Sequence, residues 1–280
     1  MNCTSAVRLS RSAASKSAER AGRRYGELLL KALFGYLHEN GYAFAFLTVY
    51  EHHEGLIILL EDFGFERREP NKGSTGERFY VKTLRPTEED LAELSPLKLH
   101  TKFGPPALKL DDVYLVPIKP VYHRLLFPDA EQPDQPEQLA FDLGTVPAPT
   151  PTPFGNALRK AYLSHTKSRQ LQPGSTILFY RSQDRQAVTA VGVVEQTLGS
   201  RDASEVAAFV GQRSVYSLEE IEAMCDHDEV LAILFRQDRL LETPISLEEM
   251  IAENLAKQHP QSVQSTLEEV RPWLLARIGG

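Results

Sequence analysis

The sequence predicts two successive domains, an α/β domain and then an α+β domain built on a small, strongly curved, barrel-like sheet. Three stretches of the chain support this division. Residues 21–84 alternate helix-like and strand-like patterns, which is typical of an α/β segment. Residues 128–153 contain seven prolines among acids and glutamines, which indicates a stiff, extended linker. Residues 154–280 contain short β-rich runs separated by helical ones.

The composition is that of an ordinary cytoplasmic protein. The 280 residues carry a net charge of −7, so the chain as a whole lacks the basic excess of many nucleic-acid-binding proteins. Cys3 and Cys225 are too few for a disulfide framework or a cysteine zinc site, which suits a reducing compartment. No apolar run reaches the length of a membrane span, so we expect no membrane association.

The first domain is predicted to begin with a helix. Residues 1–20 show no clear period and are expected to be disordered, with residues 6–9 as a weak strand candidate. Beyond them, apolar side chains recur at helical spacing up to Gly41, which we expect to end the helix in a left-handed conformation. The periodic residues are Leu28, Leu29, Ala32, Leu33, Tyr36 and Leu37.

A strand, a second helix and a final strand are predicted to follow. Residues 42–50 are rich in aromatic and β-branched side chains, which favours a strand. The second helix is expected from about His53 to Gly64, and residues 79–84 predict the final strand.

A basic turn, Gly22-Arg23-Arg24-Tyr25-Gly26, precedes the first helix. The first N–H groups of a helix have no intrahelical partner, and the helix dipole adds positive potential there. The turn therefore predicts an anion site to which Arg23 and Arg24 add charge. An ordinary helix start with solvated arginines explains the same pattern.

The order of these elements and the sequence Leu-Leu-Glu-Asp-Phe-Gly-Phe at residues 59–65 carry a family resemblance. Over about a quarter of the chain they resemble the coenzyme-binding half of the GCN5-related N-acetyltransferases, the GNAT family. The resemblance implies that acetyl-CoA binds and donates its acetyl group to an amine acceptor of unknown identity. It implies a pyrophosphate-binding loop at Arg23, Arg24, Tyr25, Gly26 and Glu27.

The chain departs from the family pattern at four positions. Arg24 stands where the family has a glycine, and Ala21 stands where it has Arg or Gln. His53 replaces an asparagine that often opens the last helix, and Leu60 replaces a tyrosine that often acts as general acid. Roughly half of a family domain precedes the turn, so we expect a fragment, an upstream start or completion by another chain. An unpaired sheet edge would favour a homodimer.

Residues 85–127 are predicted to form an extension packed on the first domain. Thr87 followed by three acids indicates a capped helix start, and residues 113–118 predict a short strand. Tyr122 and His123 form either a catalytic pair or an aromatic contact that docks this segment.

Residues 154–280 are predicted to alternate strands and helices. The predicted elements are a helix at 156–165, strands at 176–181 and 187–195, helices at 203–210 and 218–223, a strand at 230–235, a helix from 246, and a last helix at about 265–277. Two capping boxes, Ser217 with Glu220 and Ser246 with Glu249, indicate two of the helix starts.

Cations and aromatic side chains are mixed in the second domain, and residues 154–185 carry six Lys or Arg and one acid. Such a mixture suits nucleic acid, because cations neutralise phosphates and aromatic rings stack on unpaired bases. Solvated arginines and the alternate faces of a strand explain the same residues.

Several motifs of the second domain also carry a resemblance. They are His-Thr-Lys at 165–167, Leu-Phe-Tyr-Arg-Ser at 178–182, Val-Gly-Val-Val-Glu at 191–195, Gly-Gln-Arg-Ser-Val-Tyr-Ser at 211–217 and Pro-Gln-Ser at 260–262. Together they resemble the PUA-like superfamily near its EVE and ASCH branches, which implies a β-barrel with a cleft for RNA or a modified base. The implied cleft residues are His165, Lys167, Tyr180, Arg181, Ser182, Arg213, Tyr216, Gln261 and Ser262.

The sequence Cys225-Asp226-His227-Asp228 contains metal-ligating residue types, but adjacent residues rarely close one coordination shell. A polar loop after a helix explains them, and we expect no metal.

The sequence thus predicts a cytoplasmic protein in which an acetyl-CoA-dependent acetyltransferase module is coupled to a PUA-like module that recognises nucleic acid or a modified nucleotide. The alternative is a catalytically inactive binding or regulatory protein that acts through its second domain. A third reading is a truncated product that folds stably only in that domain.

Overall fold

The structure, a computed structural model, describes residues 6–8, 25–69, 76–105, 107–131, 157–165 and 170–279. The chain divides into two compact units, and among the described residues the first ends at Lys109 and the second begins at Leu110. Within these ranges no helix is long and apolar enough to cross a membrane.

The first unit contains a four-stranded sheet. Its elements are β1 (Ala6–Arg8), α1 (Tyr25–Glu39), β2 (Phe44–Tyr50), α2 (Glu54–Asp62), β3 (Glu66–Arg68), β4 (Glu77–Thr83), α3 (Glu88–Glu93) and α4 (Pro96–Phe103). The strand order is β1-β2-β4-β3; β1 and β2 are parallel, and β4 is antiparallel to both of its neighbours. The predicted succession of helix, strand, helix and strand in residues 21–84 is confirmed.

The apolar periodicity of α1 becomes the core of this unit. The buried residues of the helix are Leu28, Leu30, Ala32, Leu33, Phe34 and Leu37. Gly41, with φ of +64°, follows α1 in the predicted left-handed conformation, and Gly64, predicted to end the second helix, follows α2 with φ of +74°. The Thr87 cap of α3 is also confirmed, because its side chain accepts from the backbone N–H of Asp90 in a full capping box.

The N-terminus and the linker are described only in part. Residues 6–8 form β1, paired with β2, which confirms the weak strand candidate and differs from the predicted disorder. Residues 128–131 form a short 3₁₀ turn at the start of the predicted linker. Residues 9–24 and 132–156 lie outside the described residues.

The second unit contains a six-stranded sheet. Its elements are β5 (Val113–Ile118), α5 (Pro120–Leu126), β6 (Arg159–Ser164), β7 (Thr176–Arg181), β8 (Ala187–Ser200), α6 (Ala203–Val210), α7 (Leu218–His227), β9 (Val230–Ser246), α8 (Leu247–Ala252), β10 (Gln264–Ser265) and α9 (Arg271–Ile278). The strand order is β10-β5-β7-β8-β9-β6, and the described strands do not close into the predicted barrel.

The sheet is bent by irregularities in its two long strands. The pairing of β8 with β9 shifts register at three places; the ladder leaves out Thr189 opposite residues 241–244, and elsewhere Asp238 and Glu195. A bulge of this kind bends the strand and turns the side chain of the extra residue in a new direction. All three residues are buried and polar, so each bulge places a polar group inside the unit.

The segment after Lys109 lies in the second unit, which differs from the predicted extension of the first domain. β5 pairs in parallel with β7 along its whole length, and Leu115 also pairs with Gln264 of β10. Both partners are distant in sequence, so the local pattern of residues 113–118 predicts a strand without indicating which sheet it joins.

The predicted helix at residues 156–165 is wrong, because β6 occupies Arg159–Ser164 and pairs antiparallel with β9. Residues 160–163 are all buried, so the strand shows no alternation of polar and apolar positions. A short, continuously buried strand and a buried helix segment have the same periodicity, and only pairing separates them.

The remaining predicted helices are confirmed or shortened. α6 occurs at the predicted residues, α7 begins as predicted but continues to His227, and Ser217 with Glu220 forms a complete capping box. The last helix begins at Arg271 rather than near residue 265, because residues 264–265 are used as β10.

Candidate functional site

Three arginines meet at one carboxylate in the second unit. The Oε1 of Glu195 lies 2.7 Å from the Nε of Arg236, and its Oε2 lies 3.0 Å from the Nε of Arg159. The Nη1 of Arg213 approaches the same Oε2 at 3.6 Å. We call these four residues the Glu195 cluster.

The sheet itself requires a carboxylate at this place. Arg159 of β6 and Arg236 of β9 are direct partners in the antiparallel ladder. Like charges directly opposite one another destabilise a strand pair, and the bulge at Glu195 places a negative charge between them. Arg213 joins from the 3₁₀ turn Gly211–Arg213 that follows α6.

The Glu195 cluster is partly open to solvent. Glu195 and Arg236 are buried, whereas the side chains of Arg159 and Arg213 are 21% and 26% exposed. Among the described residues, three guanidinium groups thus surround one carboxylate at the edge of the core. A guanidinium is always protonated and matches phosphate geometry, so the chemistry of this site favours an anion with several oxygen atoms.

The loop that carries Arg213 also carries a ring that belongs to a tyrosine ladder. The centroids of Tyr216 and Tyr122 are 4.4 Å apart, and those of Tyr216 and Tyr162 are 6.3 Å apart. Tyr216 is buried and its hydroxyl donates to the carbonyl of Leu163. Burial raises the pKa of both Tyr216 and Tyr162, so both hydroxyls stay protonated. The predicted stacking residue Tyr216 is therefore covered by Tyr122 of α5.

The predicted cleft residue Arg181 is an internal ion-pair partner. It is buried, and its guanidinium binds Asp184 through two hydrogen bonds of 2.8 and 2.5 Å. These bonds lower the pKa of Asp184 to about 2. The Nη1 of Arg181 lies 3.5 Å from the Nδ1 of His123, whose Nε2 is 2.7 Å from the Oγ1 of Thr189.

Tyr180 and Ser182, on either side of Arg181, also face the interior. Tyr180 is fully buried, its hydroxyl has no hydrogen-bond partner among the described residues, and its ring meets His259 edge-on at 5.3 Å. The hydroxyl of Ser182 donates to the carbonyl of Ile118. Tyr180 and Arg181 therefore contribute no open surface.

The other predicted cleft residues are dispersed. Gln261 and Ser262 are exposed just before β10. His165 is exposed at the end of β6, with its Nε2 3.0 Å from the carbonyl of Met224, and Lys167 lies outside the described residues. α5 contacts two of the predicted cleft residues, Tyr216 through Tyr122 and Arg181 through His123.

In the first unit the predicted coenzyme residues begin α1. Tyr25, Gly26 and Glu27 form its first turn, whereas Arg23 and Arg24 precede the described residues. A Cβ on Gly26 would come within 2.6 Å of the Cδ2 of Leu59, so a larger residue here would displace this side chain of α2.

Metal binding has no support among the described residues, where no three histidine, cysteine or acidic side chains cluster in the way a metal site needs. Cys225 is buried in α7, and burial raises the pKa of its thiol.

Sequence reasoning missed Arg159, Glu195 and Arg236. Glu195 follows the apolar run 191–194, and Arg236 follows the run 230–235. A charged residue that directly follows a buried apolar run is a signal for a polar site, because a charge next to the core needs a partner.

No protein-family model matches the chain, and no curated protein matches its sequence. Solved structures do match. The ASCH protein from Zymomonas mobilis has a TM-score of 0.42 at 12% identity, and the match covers 59% of this chain and 94% of that one.

Two further structures match over a similar share of the chain. A Rhodopseudomonas palustris protein has a TM-score of 0.32 at 14% identity, covering 60% of this chain and 93% of that one. An Agrobacterium tumefaciens protein has a TM-score of 0.33 at 15% identity, with the same coverage of both chains. None of these three proteins is described as an acetyltransferase. Because the identities and TM-scores are low, the similarity gives no information on function.

Proposed function

We propose that the second unit binds single-stranded nucleic acid and that the Glu195 cluster contacts its phosphates. The observation that carries this proposal is the meeting of three guanidinium groups at one carboxylate on the partly exposed rim of the sheet. Arginine binds phosphate through a planar pair of N–H donors, and the side chains of Arg159 and Arg213 are partly exposed.

The surroundings of the cluster support a nucleic acid over a free anion. Arg213 and Tyr216 belong to one short loop, so a cation and an aromatic ladder lie three residues apart along the chain. Single strands are bound by this combination, in which cations hold the backbone and rings stack on bases. The net charge of −7 favours a short contact of few phosphates over a long basic track.

An internal clamp is the rival explanation of the same geometry. The Glu195 carboxylate joins β6, β8, β9 and the loop after α6, and it would stabilise the unit without any ligand. Arg213 separates the two explanations, because it is the most exposed of the three arginines and its contact with Glu195 is the longest.

Arg213→Ala is expected to weaken the binding of a fluorescein-labelled ten-nucleotide RNA about tenfold, because one charge-assisted contact to phosphate is lost. The slope of log K against log[KCl] is expected to become shallower by about 0.7, the value for one phosphate of a single strand. Fluorescence anisotropy between 50 and 200 mM KCl measures both, and DNA of the same sequence tests the preference for RNA.

Arg201→Ala is the matched control. Arg201 is 70% exposed and pairs with Asp228 away from the Glu195 cluster, so its loss is expected to leave affinity and salt slope unchanged. Equal affinities of wild type and Arg213→Ala, or equal effects of the two substitutions, would contradict a phosphate contact at the cluster.

We propose, second, that the first unit holds acetyl-CoA with its pyrophosphate at the start of α1, as the GNAT resemblance implies. The parallel pair β1 and β2, joined through α1, supports this, because in such a unit the helix begins at the carboxyl edge of the preceding strand, where anions bind. Arg23 and Arg24 directly precede the helix in sequence.

The bound coenzyme would supply a thioester, and the chain would bind and orient it for attack by an amine. No residue is assigned to proton transfer. Leu60 is apolar and buried, and Glu27 lies in the first turn of α1, within the proposed pyrophosphate site. The inactive binding protein remains the alternative for this unit, and coenzyme affinity together with acceptor turnover separates the two.

Calorimetric titration is expected to give micromolar binding of acetyl-CoA to the full chain. The double variant Arg23→Ala/Arg24→Ala is expected to weaken it at least tenfold, because two cations at the pyrophosphate are lost. Arg67→Ala/Arg68→Ala removes the same charge from the exposed strand β3 and is expected to bind like wild type. Absence of heat with the wild-type chain would refute the coenzyme proposal.

A further inference from the structure

The outermost ring of the tyrosine ladder is Tyr122, a residue to which sequence motifs assign no ligand. Tyr162 and Tyr216 are buried beneath it, whereas Tyr122 is half-buried at the surface of α5. We infer that Tyr122 is the platform on which an unpaired base stacks, an inference that rests on the proposed binding of nucleic acid.

The ring of Tyr122 is held in place before any ligand arrives. One face packs on Tyr216, and the hydroxyl donates to the Oε1 of Glu220 at 3.2 Å. The other carboxylate oxygen of Glu220 accepts from the backbone N–H of Ser217 in the capping box of α7. His123, the next residue, is fully buried, so α5 is anchored beside the ring. A platform fixed in this way loses little entropy when a base stacks on it.

The pKa of the Tyr122 hydroxyl is consistent with its hydrogen bond to Glu220. Burial raises the pKa of Tyr122, and the negative charge of Glu220 raises it further. The phenol is therefore neutral near pH 7 and donates to the carboxylate. The ring carries no charge that would repel a phosphate chain.

The surface around Tyr122 combines apolar side chains with cations. Val121 and Leu218, the neighbour of Tyr122 and the first residue of α7, are 55% and 56% exposed. Arg124, on the same short helix, is 58% exposed with its Nη2 3.7 Å from the Oδ2 of Asp184, and Arg213 lies in the loop that carries Tyr216. A base offers apolar faces next to a phosphate, which this combination matches. A peptide with an aromatic side chain has no such regular negative charge.

The alternative role for Tyr122 is a lid that covers Tyr216 and is displaced by the base. The two roles predict effects of opposite sign. Removal of a lid exposes Tyr216 and strengthens binding, whereas removal of a platform weakens it.

The test uses the full chain and the labelled RNA ten-mer. Tyr122→Leu keeps an apolar side chain of similar size but removes the aromatic face, and it is expected to weaken binding about five- to 100-fold. Tyr122→Phe removes only the hydroxyl and is expected to stay within about threefold of wild type. Circular dichroism and urea unfolding establish that each variant is folded.

An abasic ligand isolates the stacking. An oligonucleotide of the same length with abasic sugars keeps every phosphate, so it is expected to bind wild type and Tyr122→Leu equally, both through Arg213. Tighter RNA binding by Tyr122→Leu would establish the lid and overturn the platform; unchanged binding would also overturn it.

The outcome also separates this inference from the function on which it rests. If Arg213→Ala weakens RNA binding and Tyr122→Leu does not, the platform fails and the phosphate site stands. If the wild-type chain binds no RNA, or if Arg213→Ala has no effect, the proposed function itself fails.

Discussion

Residues 154–280, the second domain as the sequence delimits it, are expected not to fold when expressed alone, whereas residues 108–280 are expected to fold cooperatively. The shorter piece lacks β5, which pairs with β7 along its whole length and with β10 on its other side. Its removal leaves the backbone groups of a central strand without partners and exposes an apolar edge.

The apolar burial lost with this segment is comparable to the whole stability of a typical domain. Residues 110–131 contribute to the core of the second unit Tyr114, Val116, Ile118, Leu126 and Phe127. Each fully buried side chain of this kind stabilises the fold by about 1.5–3 kcal/mol, so their joint loss is on the order of 10 kcal/mol. A domain is stable by about 5–15 kcal/mol in total.

Far-ultraviolet circular dichroism and urea titration of the two pieces measure this difference. The piece 108–280 serves as the control, since it also lacks the first unit but keeps β5 and α5. A cooperative transition of residues 154–280 at the same urea concentration as residues 108–280 would show that β5 is dispensable.

Lys82→Met is expected to have the largest effect of a single substitution on the first unit, a loss of about 3–5 kcal/mol. Lys82 is fully buried in β4, and its Nζ donates to the carbonyls of Phe63, Thr101 and Lys102 at 2.8, 3.2 and 2.9 Å. An ammonium group has three N–H donors, and three backbone carbonyls accept them.

The position of the ammonium group explains the magnitude. The C-terminal ends of α2 and α4 both lie next to the ammonium group of Lys82. The last carbonyls of a helix lack intrahelical partners and form the negative end of its dipole. The two helix ends are packed closely, since a Cβ on Gly64 would come within 2.1 Å of the carbonyl oxygen of Thr101. Methionine fills the space but leaves buried carbonyls without donors, and backbone groups cannot be removed to compensate.

Hydrogen exchange resolved by peptide measures the loss, because the two units need not unfold together. The amides of β4 and α4 are expected to open far more readily in Lys82→Met. Lys102→Met is the control, since the Nζ of Lys102 pairs with Asp90 near the surface and its loss is expected to change exchange little. Equal protection in both variants would show that the buried ammonium group does not join the helix ends.

Local patterns predicted most of the first unit. The apolar periodicity of α1, the left-handed Gly41 and Gly64, and the Thr87 cap are each fixed by interactions within a few residues. The same holds for the capping box at Ser217, where a hydroxyl and a carboxylate three residues apart satisfy each other's backbone donors. Features of this kind do not depend on the rest of the fold.

Pairing between distant strands could not be predicted in the same way. β6 has the composition of either a buried strand or a buried helix, and only its pairing with β9 decides between them. β5 and β7 are separated by α5, the linker and β6, and their parallel pairing leaves no short-range mark in the sequence. The domain boundary predicted from the proline-rich linker therefore fell one strand too late.

Only one of the four residues of the Glu195 cluster, Arg213, was among the predicted site residues. The motif at residues 211–217 gave Arg213 and Tyr216, but the partners that define their roles lie far away in sequence. Arg159 is 36 residues from Glu195, and Arg236 is 41 residues from it. Tyr180 and Arg181 have side chains of the kinds that bind nucleic acid, but both are buried in β7.

The sequence by itself determined the helical periodicity of α1 and the caps at Thr87 and Ser217, since these follow from contacts within a turn or two. The tertiary structure alone decided which arginines share a carboxylate, which tyrosine covers which, and to which unit residues 110–131 belong. Those choices depend on sheet register and on bulges, in which a shift of one residue turns every side chain to the opposite face.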